Sequence, residues 1–484
     1  MKKTFLLFFL SVSLFAQTDK EIASSTITKE AITKHITYLS SDDLKGRDTG
    51  SEGIEMAAEY IINELKKYGA KPVGKSFLQN VPLQRVKPAT QKSFSILDNT
   101  YTQILPLSGS EAVYQGETIF LNYGTEEDFA NTDVSGKLVV LIAGSQPGQN
   151  PMQLFNEIEN KLNRAQEKGA VGVVELAPLN EGVWGFIENN FNSEKIELAN
   201  DNEVANFFYT WMLDINGALA TELNGKTTFE TSLDISGGEI IPFSCNNVIA
   251  KVEGSDKKLK EEYVVYTAHY DHVGISTPDA KGDSIYNGAR DNAVGMTTLL
   301  SMAKNLAKNP TKRSALFVFF TAEEKGLLGS EYFINHPVVP IEDMVFCLNS
   351  DNGGYNDTSL ITIFGLHRTN MGKHIETAAK AYGLTAIDDP APEQNLFDRS
   401  DNVHFARKGV PAPTFSMGFT AFNQEILNHY HQPSDESSTL DFDYLYQFFQ
   451  SYVYSGRLIG NDDEKPFWTA GDKYEEAGKE LYKN

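Results

Sequence analysis

The sequence predicts an α/β protein: a mixed, mostly parallel sheet flanked by helices, with a smaller α/β module inserted into it. Three observations carry that expectation. After Ser244, three apolar runs, "YVVYTAH" (263–269), "ALFVFFTA" (315–322) and "MVFCLNS" (344–350), alternate with helix-like segments near 292–308 and 326–335. Unbroken apolar runs suit strands covered on both faces, and their alternation with helices suits a parallel sheet. Upstream, "GKLVVLIAG" (136–144) and "GAVGVVEL" (169–176) flank a helical segment near 153–168, a second strand-helix-strand pattern. Finally, Ile54, Ala57, Ala58, Ile61, Ile62 and Leu65 fall on one stripe of a helix, which must pack on a larger body.

Taken in chain order, Met1-Lys2-Lys3 and the apolar "FLLFFLSVSLFA" form a basic start and a hydrophobic run too short to span ~30 Å of hydrocarbon. Residues 1–16 are therefore expected to be a signal peptide cleaved after Ala16, which makes the protein secreted or periplasmic. No cysteine follows the run, so no lipid anchor of the bacterial lipoprotein type is expected. No later stretch has the 18 continuous apolar residues of a membrane span. Residues 28–68 read as two helices, with Thr49 and Glu52 spaced as a capping box for the second. Between them "SSDDLKGRDTGSEG" (40–53) reads as an exposed loop. The main domain is expected over 23–88 and 240–462, the insertion over 89–239, and a C-terminal tail over 463–484. Within the insertion "GFIENNFNSEKIELANDNEV" (185–204) is expected to be a long surface loop.

With 42 Lys plus Arg against 65 Asp plus Glu, the chain carries a net charge of −23. Phosphate backbones and anionic membrane surfaces would repel it, which argues against nucleic acid as a partner. Cys245 and Cys347 are too few for a disulfide framework in 484 residues, and two buried thiols are the expected state, with a single bridge left open.

Chemistry gathers where the apolar runs stop. The first run closes on His269 and Asp271, the second on Glu323 and Glu324, the third on Asp351, and Asp291 lies in the turn "NGARDNAVG" before a helix. Ligands in open α/β sheets bind outside the carboxyl ends of the strands. Six such groups on one rim would be costly without a positive partner, and imidazole with carboxylate is a donor set that Zn2+ accepts. Each residue alone has an ordinary reading: a hydrogen-bonded histidine, a solvated Glu-Glu helix start, an N-capping aspartate. Independent ordinary roles would have to recur at three strand ends. Neighbours on an extended chain point to opposite sides, so Glu323 and Glu324 are expected to divide the work, one ligating and the other moving protons.

The motifs "AHYDHVG", "GARDNAVG", "TAEEKGLLGS", "LNSDNGG" and "NHYHQPSDESSTLD", in this order, resemble those of the zinc-dependent aminopeptidase and glutamate carboxypeptidase superfamily. Residues 90–237 are similar to the protease-associated domain that many members carry. The resemblance implies a zinc exopeptidase fold with two zinc ions. His269 and Asp351 would hold one ion, Glu324 and His431 the other, with Asp291 bridging. It also implies Glu323 as general base toward a water held between the ions, Asp271 as the carboxylate orienting His269, and Tyr430 as a donor to the developing oxyanion. Ser400 and Asp401, in "FDRSDNVHFARKGVPA" (397–412), match a substrate-side loop in which Asp401 would receive a substrate amine or cap a turn. His272 and His429 are expected to be bystanders. Arg399 and Arg407 do not make the cluster a substrate carboxylate would want, so an aminopeptidase acting on peptides is favoured over a carboxypeptidase. The competing readings are a glutaminyl cyclase-like acyltransferase, which uses one zinc, and a catalytically silent receptor-like binding protein, which would lack ligands that are present here.

Overall fold

The computed structural model describes residues 17–109, 111–199 and 207–483. The expected signal peptide lies outside the described residues. Two compact units divide the chain, one made of residues 1–81 and 245–484, the other of 82–244.

The first unit is built on strands β1 (Glu239–Val252, which enters it at Cys245), β2 (Tyr263–His269), β3 (Ser314–Phe320), β4 (Met344–Ser350), β5 (Leu360–Phe364), β6 (Thr385–Ile387) and β7 (Thr414–Met417). They run in the order β6-β5-β7-β4-β2-β3-β1. The centre is parallel, β3 to β2, β2 to β4 and β4 to β7, while β1 joins β3 and β5 joins β7 antiparallel. This is the mixed, mostly parallel α/β architecture that the apolar runs predict. Every residue of β3 and β4 is buried, as is all of β2 after Tyr263, because helices Gly295–Lys308 and Phe442–Asn461 pack on the sheet. Register then decides where the chemistry sits. His269 pairs with Phe320 and Thr267 with Asn349, so three neighbouring parallel strands end at one level.

Several local expectations need correction. The segment 40–53 is not a simple exposed loop: Asp42–Arg47 form a 3-10 turn in which Leu44 and Arg47 are fully buried. The helix that follows starts at Glu52 with Ser51, not Thr49, accepting the capping hydrogen bond, from Ile54 N–H. The expected tail folds back: Trp468 is buried and its indole N–H donates to the Gly409 carbonyl at 3.0 Å, ahead of a helix at Glu475–Tyr482. Cys245 and Cys347 are both free and buried.

The second unit contains a mixed sheet whose parallel centre is Ala112–Phe120, Leu138–Ile142, Gly172–Ala177 and Phe208–Leu213. Through residue 199, the expected surface loop 185–204 instead continues helix Glu181–Phe191, which buries Trp184 and Ile187, and then forms strand Lys195–Leu198, while 200–204 lie outside the described residues. Its apolar positions are few and irregularly spaced, which hid both elements. At its core the Lys161 ammonium lies 2.6 Å from Glu175, whose second oxygen accepts the Trp211 indole N–H at 2.6 Å.

Candidate metal centre and cleft

His269 is the last residue of β2, and Asp351 follows the last residue of β4. His269 Nε2 lies 3.1 Å from Asp291 Oδ1 and 3.3 Å from Asp351 Oδ1. On the other side, His431 Nε2 lies 3.2 Å from Asp291 Oδ2 and 3.3 Å from Glu324 Oε2. Asp291 thus turns one oxygen to each group. Donors about 2.0–2.1 Å from one tetrahedral ion stand roughly 3.3 Å apart, so both groups have the spacing of zinc ligands. The donor chemistry agrees, since Asp291, Glu323, Glu324 and Asp351 have no Lys or Arg ion-pair partner among the described residues. The residues present fit a pair of zinc ions.

Local backbone geometry aims these side chains. Ala322, just before the glutamate pair, sits at φ +55°, and His431 itself at φ +50°. Non-glycine residues in this region cost of order 1–3 kcal/mol each and persist where the surroundings enforce them. The peptide between Asp291 and Asn292 is cis.

Electrostatics separates the two glutamates. Glu323 is raised well above the usual carboxylate range by burial and by the nearby charges of Asp351, Glu324 and Asp401, against the attraction of His269. Glu324, although burial and Asp291 oppose its charge, is lowered to about 2 by hydrogen bonds from His272 and His431. Burial likewise opposes a charged His431, yet Asp291 and Glu324 raise it to about 10. Glu324 is therefore a committed anion, and Glu323 is poised to hold a proton.

Asp271 takes a different part from the one expected. The His269 ring nitrogen Nδ1 lies 3.2 Å from the Asp271 main-chain carbonyl but 3.9 Å from its carboxylate. The carboxylate instead accepts the backbone N–H groups of Glu323 and Glu324 at 3.1 and 3.2 Å, and the Thr49 hydroxyl at 3.1 Å. It fastens the turn that carries both glutamates. Burial raises Asp271 to about 6 despite His269.

These groups open into a cleft of about 420 Å³, also lined by Leu327, Phe364, Leu396, Phe419, Phe422 and Ile426. Tyr430 lines it too, its ring stacked on His431 at 4.2 Å between centroids. Ser400 reaches the cleft wall, where its hydroxyl accepts a hydrogen bond from Asn349 at 2.7 Å. Asp401 corrects the expectation placed on it. It is 0% exposed, it is absent from the cleft wall, and it makes no capping hydrogen bond to the helix it precedes. Both of its carboxylate oxygens are buried at the helix start, away from the cleft wall that a substrate amine would reach. Arg399 is the one guanidinium on the wall among the described residues. Arg407 is not on that wall, and His429 Nδ1 donates only locally, at the Ser434 carbonyl.

Sequence reasoning missed three supports. Asp435 accepts the N–H groups of Arg290 and Asp291 and pairs with the Arg290 guanidinium at 2.9 Å, fixing the turn that presents Asp291. Arg47 donates to the carbonyls of Leu39, Tyr270, Asn287 and Gly288. His272, taken for a bystander, lies 2.7 Å from Glu324. A polar residue whose partners are backbone carbonyls far along the chain leaves no periodic signal. For Asp435 and His272, their place inside the quoted motifs was the available sign.

Residues 247–454 match the model of Peptidase family M28. The chain is 28% identical over 185 residues to aminopeptidase YwaD of Bacillus subtilis, a match covering 37% of this chain and 37% of that protein, so it spans little more than a third of that relative. A longer match, 23% identical over 401 residues, covers 79% of the chain and 70% of a probable leucine aminopeptidase 2 of Aspergillus fumigatus. Among solved structures, an aminopeptidase from Aneurinibacillus sp. strain AM-1 superposes with a TM-score of 0.55 at 19% identity, over 92% of this chain and 97% of that one, which shows a shared fold.

Proposed function

We propose that the protein, whose residues 247–454 match the model of Peptidase family M28, is an exported zinc aminopeptidase that removes apolar residues from the amino ends of peptides. The observation that carries the reading is Asp291, with its two oxygens 3.1 and 3.2 Å from two histidines that each also face a second carboxylate. His269 and Asp351 would hold one zinc and Glu324 and His431 the other, with Asp291 offering one oxygen to each group. Zinc bound there would supply Lewis-acid polarisation of a carbonyl and acidify a water.

The chain's own residues do the rest. Glu323, held above the carboxylate range largely by burial, takes the proton of the attacking water and returns it to the leaving amine. The Tyr430 hydroxyl donates to the oxygen that gains charge at the carbonyl. Leu327, Phe364, Leu396, Phe419, Phe422 and Ile426 receive an apolar side chain and exclude water around it. Arg399 is the one guanidinium on the wall among the described residues, short of the cluster a substrate carboxylate would want, which favours an amino end over a carboxylate end. The 82–244 unit is the protease-associated insertion.

Digestion of a mixed peptide library by the zinc-loaded protein tests this. Apolar residues should disappear from free amino ends, and amino-acetylated copies should survive. Loss from the carboxyl end, or cleavage of blocked peptides at the same rate, overturns the aminopeptidase reading.

A further inference from the structure

We infer that His272 is a positioning residue that fixes the Glu324 carboxylate for the second metal site; the inference rests on the two-zinc reading. His272 is fully buried, and its Nδ1 lies 2.7 Å from Glu324 Oε1. Glu324 Oε2, the other oxygen, is the one 3.3 Å from His431. One oxygen is therefore tied from behind and the other turned toward the metal position. Left alone, a glutamate at a turn has several rotamers and two equivalent oxygens, and ordering it costs entropy at the moment an ion binds. A hydrogen bond from behind removes that cost and selects monodentate presentation.

The unpartnered ring nitrogen decides between positioning and direct ligation. His272 Nε2 is buried and has no hydrogen-bond partner among the described residues. If Nδ1 were a metal ligand, Nε2 would carry the hydrogen and become a buried orphan donor, the more costly and rarer kind. With the hydrogen on Nδ1, donating to Glu324, only a lone pair goes unmet. The ring is also locked in place. Its backbone N–H donates to the Arg47 carbonyl at 3.2 Å, and its face packs on Gly288, where a Cβ would fall 2.6 Å from the ring at φ +58°. Arg47 in turn donates to Tyr270, Asn287 and Gly288, gripping the segments on both sides of the ring.

Two substitutions separate this role from simple packing. His272→Phe keeps the ring and loses the donor; His272→Asn loses the ring but places an amide donor near the position of Nδ1. Zinc is counted by mass spectrometry, and its stepwise affinity is read by competition with a chromogenic chelator. The wild-type protein should hold two ions. His272→Phe should hold one with unchanged affinity and bind the other about 10–100-fold more weakly, with turnover recovering as free zinc is raised. His272→Asn should stay within about threefold of wild type. Wild-type affinity for both ions in His272→Phe, or an equal loss in His272→Asn, overturns the inference. A wild-type protein that takes up a single ion instead overturns the two-zinc reading on which it stands.

Discussion

Both units of the chain bury carboxylates, and they neutralise them in opposite ways. In the 82–244 unit, Glu175 meets a complete set of partners: the Lys161 ammonium at 2.6 Å on one oxygen and the Trp211 indole at 2.6 Å on the other, while Lys161 also donates to the Ile142 carbonyl at 2.8 Å. The charge is closed within the protein. On the rim of the other unit, Asp291, Glu323, Glu324 and Asp351 gather around three imidazoles, His269, His272 and His431. Arginines are close by, yet Arg47 is spent on backbone carbonyls and Arg290 on Asp435. The difference teaches that burial of charge is not itself the mark of a site. A site is where the buried charge is left for something outside the chain to complete.

The sharpest way to break that contrast is Glu323, which has no Lys or Arg ion-pair partner among the described residues. Glu323→Gln should lower kcat of the zinc-loaded enzyme by ~10²–10⁴-fold, the usual range for a lost general acid-base group, while both ions stay bound. Steady-state kinetics beside metal counting reads the two effects separately, and undiminished turnover removes Glu323 from the chemistry. In the metal-free protein the same substitution should raise the melting temperature at neutral pH, because a carboxyl whose pKa is raised on folding opposes folding once ionised.

Lys161 should respond in the other direction. Lys161→Met leaves Glu175 buried without its counter-charge, a loss of about 3–5 kcal/mol, whereas exchanging both partners for apolar residues costs far less. Melting of the single variant against Lys161→Met/Glu175→Leu measures this. If the double variant is no more stable than the single one, the closed ion pair is not what stabilises that core.

The same contrast sets what could be read in the sequence. Strand ends were legible, because β2, β3 and β4 are covered on both faces and their apolar runs stop where His269, Glu323 and Asp351 begin. His269, Asp291 and Asp351 lie within reach of one another, and so do Asp291, Glu324 and His431, with His272 beside the second group. Supports that act through backbone were not legible. Thr49 looked like a cap and instead bonds Asp271, 222 residues away. Arg47 sat in a stretch of turn formers and charge, yet it is wholly buried. Asp401 showed the opposite error: its motif suggested contact with substrate, and the fold buries it away from the cleft wall.

The smallest expected effect concerns pH in the metal-free protein. Asp291 and Glu324 raise His431 to about 10 in the folded state, against about 6.5 for an unperturbed imidazole. A group whose pKa rises on folding contributes stability that is fully present below its unfolded value and is lost as pH climbs through the folded one. The chelated protein should therefore lose melting temperature between about pH 6.5 and 10. The His431 side chain is 36% exposed, so solvent screening keeps the change modest. His431→Gln should flatten the slope in that window, and so should saturating zinc, since a metal ligand must be the neutral imidazole and the ion replaces the proton's charge. Equal slopes in wild type and His431→Gln would mean that the carboxylates of the rim do not act on His431, and that its side of the site is open to solvent in the absence of metal.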